Sequence, residues 1–182
     1  MTRTPFLCLF PLFALAACGG GAAGGDAGLP KEPASPAAHM LMLGTDPGAA
    51  LGVVAAKAKG AADAVVVEGR IQHYTRGEFA FKLVDTALPY CGLQCKDDCM
   101  TPWDYCCESG PTIADNSLAV EVHDDKGGVI ATPSLPNLRL LDTVKVKGKL
   151  AKDEHGNFTL IATGVFRAER PKLRADLDWQ KQ

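Results

Sequence analysis

Hydrophobic and polar side chains alternate along five segments between residues 65 and 166 of this 182-residue chain. A period of two places successive side chains on opposite faces of a β-strand, so each segment predicts a half-buried strand. The segments are 65–71, 79–85, 118–123, 143–150 and 158–166, with glycine-containing turns at 75–78, 124–128 and 155–157. Strands this short bury a core only by packing as a small barrel or sandwich, which predicts an all-β domain.

Three of these segments resemble strands of OB-fold domains. They read Val-Glu-Gly-Arg-Ile at 67–71, Phe-Lys-Leu-Val-Asp at 81–85 and Asp-Thr-Val-Lys-Val-Lys-Gly-Lys-Leu at 142–150, similar to the first, second and fourth strands of that fold. Gly69 and Gly148 fall where such barrels bend sharply, and a glycine within a strand has a physical use there. The resemblance covers about residues 64–168 and implies a small five-stranded OB-like barrel.

One short helix is predicted before the first strand. Asp46 and Pro47 have the residue types of a helix N-cap and first turn, and Gly60 has that of a helix stop. Apolar residues recur at helical spacing between them, at Leu51, Val54, Ala55 and Ala58. We therefore expect a short amphipathic helix on the N-terminal side of the barrel.

The first 17 residues have the layout of an export signal. Arg3 precedes an uncharged apolar run at 6–17, which is too short to cross the roughly 30 Å of a bilayer. The run ends in Leu15-Ala16-Ala17-Cys18, which resembles the lipobox of bacterial lipoproteins. That resemblance implies cleavage before Cys18 and attachment of a diacylglyceryl group to its thiol, so that lipid holds the mature chain at a membrane.

Composition divides the mature chain into a tether, a domain and a tail. Residues 19–38 are mainly Gly, Ala, Pro and Ser, which predicts a flexible tether over 18–44. The tether would lead to a domain at 45–170 and a polar tail at 171–182. Gly19 follows the lipidated position where inner-membrane lipoproteins often have aspartate, so the resemblance implies the outer membrane of the cell envelope, facing the periplasm.

The formal net charge of −2 argues against nucleic acid as a partner. A nearly neutral protein has no overall field that would attract a polyanion, and an exported protein seldom meets one. The partners that we expect are the membrane, through the lipid anchor, and an unknown protein or small-molecule ligand.

A long loop at 86–116, between the second and third strands, holds the main candidates for chemistry. Cys8 lies in the export signal, and Cys18 is the position expected to carry the lipid. All of the other cysteines lie in this loop, at Cys91, Cys95, Cys99, Cys106 and Cys107. The segment Thr-Pro-Trp-Asp-Tyr-Cys-Cys at 101–107 resembles one in uncharacterised secreted bacterial proteins with the same OB-like strand pattern. That resemblance implies no known activity.

Disulfide bonds are the first interpretation of these cysteines. The periplasm is oxidising, and a loop with few aliphatic residues gains stability from covalent links. A bond between the neighbours Cys106 and Cys107 would strain their peptide, so each is expected to pair upstream. Two disulfides leave one thiol over, for which Cys95 is our candidate, while the pairing itself stays open.

A metal site and a redox centre are the alternatives. Four thiolates bind Zn²⁺ or Cu(I) well, and Cys91, Cys99, Cys106 and Cys107 could supply them, although Cys-x-x-Cys pairs are missing. No other cofactor is expected. Redox catalysis needs a thiol of lowered pKa, and Lys96 is the one cation close by in sequence.

Trp103 and Tyr105 allow two interpretations. As exposed aromatic side chains on a loop they would form a binding platform, and as packing residues they would cover the cysteines or the barrel. No nucleophile is spaced from a histidine as in a known catalytic motif. The sequence therefore predicts a non-catalytic binding or interaction module with a disulfide-linked loop, or else a periplasmic metal-binding protein.

Overall fold

A computed structural model describes residues 41–94, 101, 103–131 and 138–171 of the chain. Six strands and three helices are found in these residues. The strands are β1 (Leu51–Gly52), β2 (Ala62–Tyr74), β3 (Ala80–Val84), β4 (Ser117–Glu121), β5 (Thr143–Lys152) and β6 (Phe158–Glu169). The helices are α1 (Val53–Lys59), α2 (Cys91–Gln94) and α3 (Gly110–Asp115).

Strands β2 to β6 close into a five-stranded barrel. The sheet order is β1-β2-β3-β4-β6-β5, and a further pairing between β2 and β5 closes it. The β4–β6 pair is parallel and the other barrel pairs are antiparallel. This order and the small helical content agree with an all-β, OB-like fold, so the predicted fold class is confirmed.

Side chains that point inward at every second position of the strands form the core of the barrel. Inward side chains such as Val67, Ile71, Leu83, Val120 and Val146 are fully buried. Their neighbours in sequence, such as Lys82 on β3 and Ala119 on β4, face outward. Because one face of each strand is buried, its register is fixed by the hydrophobic pattern.

The backbones of β5 and β6 approach each other closely at Gly148. A Cβ atom at this position would overlap the carbonyl oxygen of Ile161. The β5–β6 register shifts between Lys147 and Gly148, and Thr163 donates from its hydroxyl to the Lys147 carbonyl at 3.2 Å. Such irregularities increase strand twist and help a sheet to bend into a barrel. Gly148 therefore lies at a close backbone approach and a register irregularity, where a side chain would not fit.

The helix before the barrel begins later than predicted. It runs from Val53 to Lys59, with Gly52 as an N-cap that offers no side-chain hydrogen bond. Asp46 instead accepts from the Gly48 N–H at 2.8 Å and forms an ion pair with Lys145 at 2.8 Å. These long-range and local contacts hold residues 46–48 in a turn, so the predicted helix start at Asp46 was wrong.

The buried face of α1 also differs from the prediction. Val53 and Ala56 are buried against the barrel, whereas Val54, Ala55 and Ala58 are exposed. Leu51 is not helical, because it pairs with Val67 in the short parallel strand β1. The shift of the helix start by several residues rotates a different set of side chains toward the core.

The folded part of the chain begins before residue 45. Leu41 is buried in the main core, and Met42 forms a parallel bridge with Val165 of β6. The Leu43 N–H donates to the Val165 carbonyl at 2.8 Å. Residues 41–44, which composition placed in the tether, therefore belong to the domain because their apolar side chains pack on β6. Positions 18–40 lie outside the described residues.

Among the described residues, no helix is long and apolar enough to cross a membrane.

We expect Gly148→Ala to lower the free energy of unfolding by about 3 kcal/mol, because the added methyl group meets rigid backbone. The matched control is Gly164→Ala in β6, whose Cβ would meet the flexible Leu43 side chain at 2.8 Å. This change should cost less than about 1 kcal/mol. Chemical denaturation measures both, and equal losses would contradict the close approach at Gly148.

Candidate functional site

The cysteine-rich loop starts at a buried carboxylate, Asp85. Its Oδ2 accepts the Val54 N–H at 3.0 Å and its Oδ1 accepts the Ala87 N–H at 2.9 Å. One carboxylate thus caps the first turn of α1 and fixes the first turn of the loop. The Leu88 N–H also donates to the Asp85 carbonyl at 3.1 Å. The loop therefore leaves the barrel in a defined direction.

The inner face of the loop has a small core of its own. Its side chains come from the end of β3, from both halves of the loop and from the turn before β5: Val84, Leu88, Tyr90, Tyr105 and Leu141. Tyr105 and Leu141 are 0% exposed. Trp103 and Ile113 are partly buried and pack against this cluster. The two buried tyrosines add large apolar rings to the core that holds the loop on the barrel.

Arg70 of β2 joins this core to the barrel. Its Nη1 donates to the Leu88 carbonyl at 3.0 Å, and its guanidinium lies 5.4 Å from the centre of the Tyr90 ring. Burial raises the pKa of Tyr105 and Tyr90, and the positive charge of Arg70 partly opposes the increase. Both phenols therefore stay neutral at physiological pH. Arg70 combines a hydrogen bond with a cation–π contact at one point of the loop.

Leu141 enters the loop core from an unusual backbone conformation. Its φ is 66°, which a branched hydrophobic residue rarely adopts. The next residue, Asp142, is fully buried; it accepts from the Arg139 N–H at 2.9 Å and binds Arg170 through two hydrogen bonds of 2.7 and 2.8 Å. This network fixes the turn at 139–142 and so directs Leu141 against Tyr105.

Two backbone hydrogen bonds bring the cysteine-bearing segments together. Cys91 is the first residue of α2, and its N–H donates to the Asp104 carbonyl at 2.8 Å. The Glu108 N–H donates to the Tyr105 carbonyl at 2.9 Å, which closes a turn containing Cys106 and Cys107. The first bond joins the start of α2 to the segment just before this turn.

The sulfur atoms of Cys91, Cys106 and Cys107 converge on one point. The Cys91 Sγ lies 3.0 Å from the Cys106 Sγ and 3.6 Å from the Cys107 Sγ, and all three lie within 4.8 Å of one another. A disulfide bond needs about 2.05 Å, so none joins these three residues in this structure. One upstream cysteine, Cys91, is nevertheless close to both Cys106 and Cys107. Cross-linking of the loop by disulfides stays a prediction.

The three thiols differ in their surroundings. Cys91 is 2% exposed, whereas Cys106 and Cys107 are exposed to solvent. Burial raises the pKa of the Cys91 thiol, and hydrogen bonds from the Cys106 side chain and the Cys107 backbone partly oppose the increase. Cys91 is therefore protonated at neutral pH unless a positive charge is brought to it.

The structure separates the two aromatic candidates. Tyr105 is fully buried in the loop core, so the packing interpretation describes it. Trp103 is half-buried and packs against both the loop core and the main core. A binding role for Trp103 stays a prediction. Cys18, Cys95 and Cys99 lie outside the described residues.

Sequence patterns missed the role of Arg70, which looks like an ordinary outward strand residue until the loop folds back over it. They also missed a pair at the other end of β4, where Glu121 and His123 lie two apart along the chain, with 2.7 Å between Oε2 and Nε2. A period of two places such residues on one face, and that signal was available in the sequence.

No protein-family model matches the chain, and no curated protein matches it either.

We expect Tyr105→Ala to lower the free energy of unfolding by about 3–5 kcal/mol, because it empties the centre of the loop core. Tyr105→Phe is the matched control. The buried Tyr105 hydroxyl has no hydrogen bond of standard geometry among the described residues, and the Arg70 side chain is its polar neighbour, so its removal should change stability by about 1 kcal/mol or less. Chemical denaturation measures both variants. A large loss in Tyr105→Phe would show that the hydroxyl, and not the ring, holds the loop.

Proposed function

We propose that this chain is an exported, lipid-anchored binding or interaction module without catalytic activity, carried by its OB-like barrel. The observation that supports it best is the loop at 86–116, whose inner face is buried in a core of its own while its outer end faces solvent. Loops fixed on a rigid scaffold are the usual recognition elements of such barrels. The described residues that form this core are already held in place, so they lose little entropy when the loop binds.

The solvent-facing end of the loop carries an apolar side chain and two thiols. Leu93 in α2 is 60% exposed, and Cys106 and Cys107 are exposed in the nearby turn. Among the described residues, Val54 is the other large hydrophobic side chain with high exposure, and it lies on α1. We place the contact with a partner at Leu93, since it lies two residues from Cys91 on the loop.

The buried Cys91 thiol is a poor candidate for the nucleophile that the redox alternative needs. Attack on a disulfide requires a thiolate, and a buried thiol of raised pKa supplies little of it. A binding role has no such requirement. A disulfide-linked loop and a metal-linked loop are both compatible with it, because each would hold the outer end in place.

Cys18→Ala should move the protein from the membrane fraction to the soluble fraction, because lipid cannot be attached to alanine. Cys8→Ala is the matched control. It removes a cysteine of the export signal and should leave the protein in the membrane fraction. Cell fractionation followed by immunoblotting measures the distribution. A Cys18→Ala protein that stays with the membrane would refute the lipid anchor.

Leu93→Asp should reduce capture of envelope partners by the full-length protein about 10-fold, because it places a charge in an apolar contact. Val54→Asp is the matched control, and we expect it to leave capture unchanged. In-cell chemical cross-linking, with adducts counted by immunoblotting, compares the two variants at equal protein amounts. Equal adduct yields from Leu93→Asp and wild-type protein would contradict a binding surface at this end of the loop.

A further inference from the structure

Cys106 and Cys107 are consecutive residues, yet both approach a single third cysteine. The turn closed between Tyr105 and Glu108 brings both sulfur atoms to the side of Cys91. A disulfide joins one sulfur to one partner, so it explains the approach of either Cys106 or Cys107 to Cys91, but not of both. A centre shared by three sulfurs explains both approaches.

The distances allow a comparison with a shared metal ion. Two thiolates that each lie about 2.3 Å from a tetrahedral Zn²⁺ are about 3.8 Å apart. The 3.6 Å between Cys91 and Cys107 is close to this value. The 3.0 Å between Cys91 and Cys106 lies between the value for a shared ion and the value for a disulfide, so it requires a small movement in either case. The Cys91–Cys107 distance is the one that favours the ion.

We propose that Cys91, Cys106 and Cys107 together bind one thiophilic cation, Zn²⁺ or Cu(I). The inference rests on the proposed binding role of the loop and names a ligand class for it. Thiolates are the side chains that select these ions. Each thiol that binds in its protonated form releases its proton to solvent, and the three thiolates then outweigh the positive charge of either ion. No electron is transferred.

The surroundings of the cluster suit such an ion. Cys106 and Cys107 are exposed and give the ion access, while Cys91 closes the site from the buried side. The backbone N–H of Cys107 hydrogen-bonds the Cys91 sulfur, an interaction that favours its thiolate. The bond from the Cys91 N–H to the Asp104 carbonyl holds the two halves of the site together. Backbone bonds of this kind orient metal ligands as outer-shell contacts do.

The test uses the full-length lipidated protein, purified in detergent from the cell envelope without reductant. We expect native mass spectrometry and elemental analysis to find one zinc or copper ion per chain. After removal of the ion by a chelator, all three cysteines should react with an alkylating reagent in a peptide map. Cys91 recovered in a disulfide-linked peptide, with no metal bound, would overturn the proposal.

Variants then assign the ligands. After a chelator has removed the bound ion, added Zn²⁺ should bind to the Cys106→Ser protein at least about 10-fold more weakly than to the wild type. Cys106 is exposed, so this change should not disturb folding, and circular dichroism checks that. Glu108→Gln is the matched control, because it removes a neighbouring charge but no sulfur; its affinity should be unchanged. Equal Zn²⁺ affinity for Cys106→Ser and wild type would reject the site.

Protons give an independent measurement of the same site. Zn²⁺ binding to the wild type in weak buffer should release protons, and its affinity should fall as the pH is lowered, because the ligands must be deprotonated. Binding without proton release would overturn the proposal. Loss of metal binding with retained partner capture through Leu93 would reject this inference alone. Loss of partner capture with retained metal binding would reject the proposed recognition surface and leave the metal site in place.

Discussion

The close approach of β5 to β6 at Gly148 is the constraint on which the barrel depends. Strand β5 forms hydrogen bonds with β2 along one edge and with β6 along the other, and its register with β6 shifts at Gly148. Only glycine fits at this point, because the Ile161 carbonyl occupies the space of a side chain. Gly69 has a similar role on β2, where a Cβ would lie 2.9 Å from the Val84 carbonyl oxygen. Two positions without side chains therefore allow five strands to close around one core.

The thiol-bearing loop depends on the barrel in turn. Asp85 fixes where the loop begins, Arg70 attaches its first half, and Tyr105 buries its second half. None of these contacts involves a sulfur atom. The contacts that place the described parts of the loop on the barrel are therefore separate from the cluster formed by Cys91, Cys106 and Cys107. Side chains that pack behind a cluster in this way hold its geometry.

The strands could be predicted from the sequence because each has one buried face. Hydrophobic and polar side chains therefore alternate along each strand, and this alternation marks where the strand lies. The start of α1 could not, since the Asp46 carboxylate is held by Lys145, which lies 99 residues further along the chain. The burial of Tyr105 and the convergence of Cys91 with Cys106 have the same cause. Both depend on contacts between distant segments, whereas composition and spacing report only near neighbours. The candidate cysteines were identified in advance, but not their arrangement.

The bridge between Met42 and Val165 has a mechanical consequence. Any tension along the N-terminal segment enters the domain at the middle of β6. That strand is hydrogen-bonded on both edges, to β4 and to β5, so the load is shared between two ladders. The loop connects β3 to β4, and the bridge at Met42 is made with neither of these strands. A pull on this end of the domain therefore reaches β6 before it reaches the strands that hold the sulfur-bearing loop.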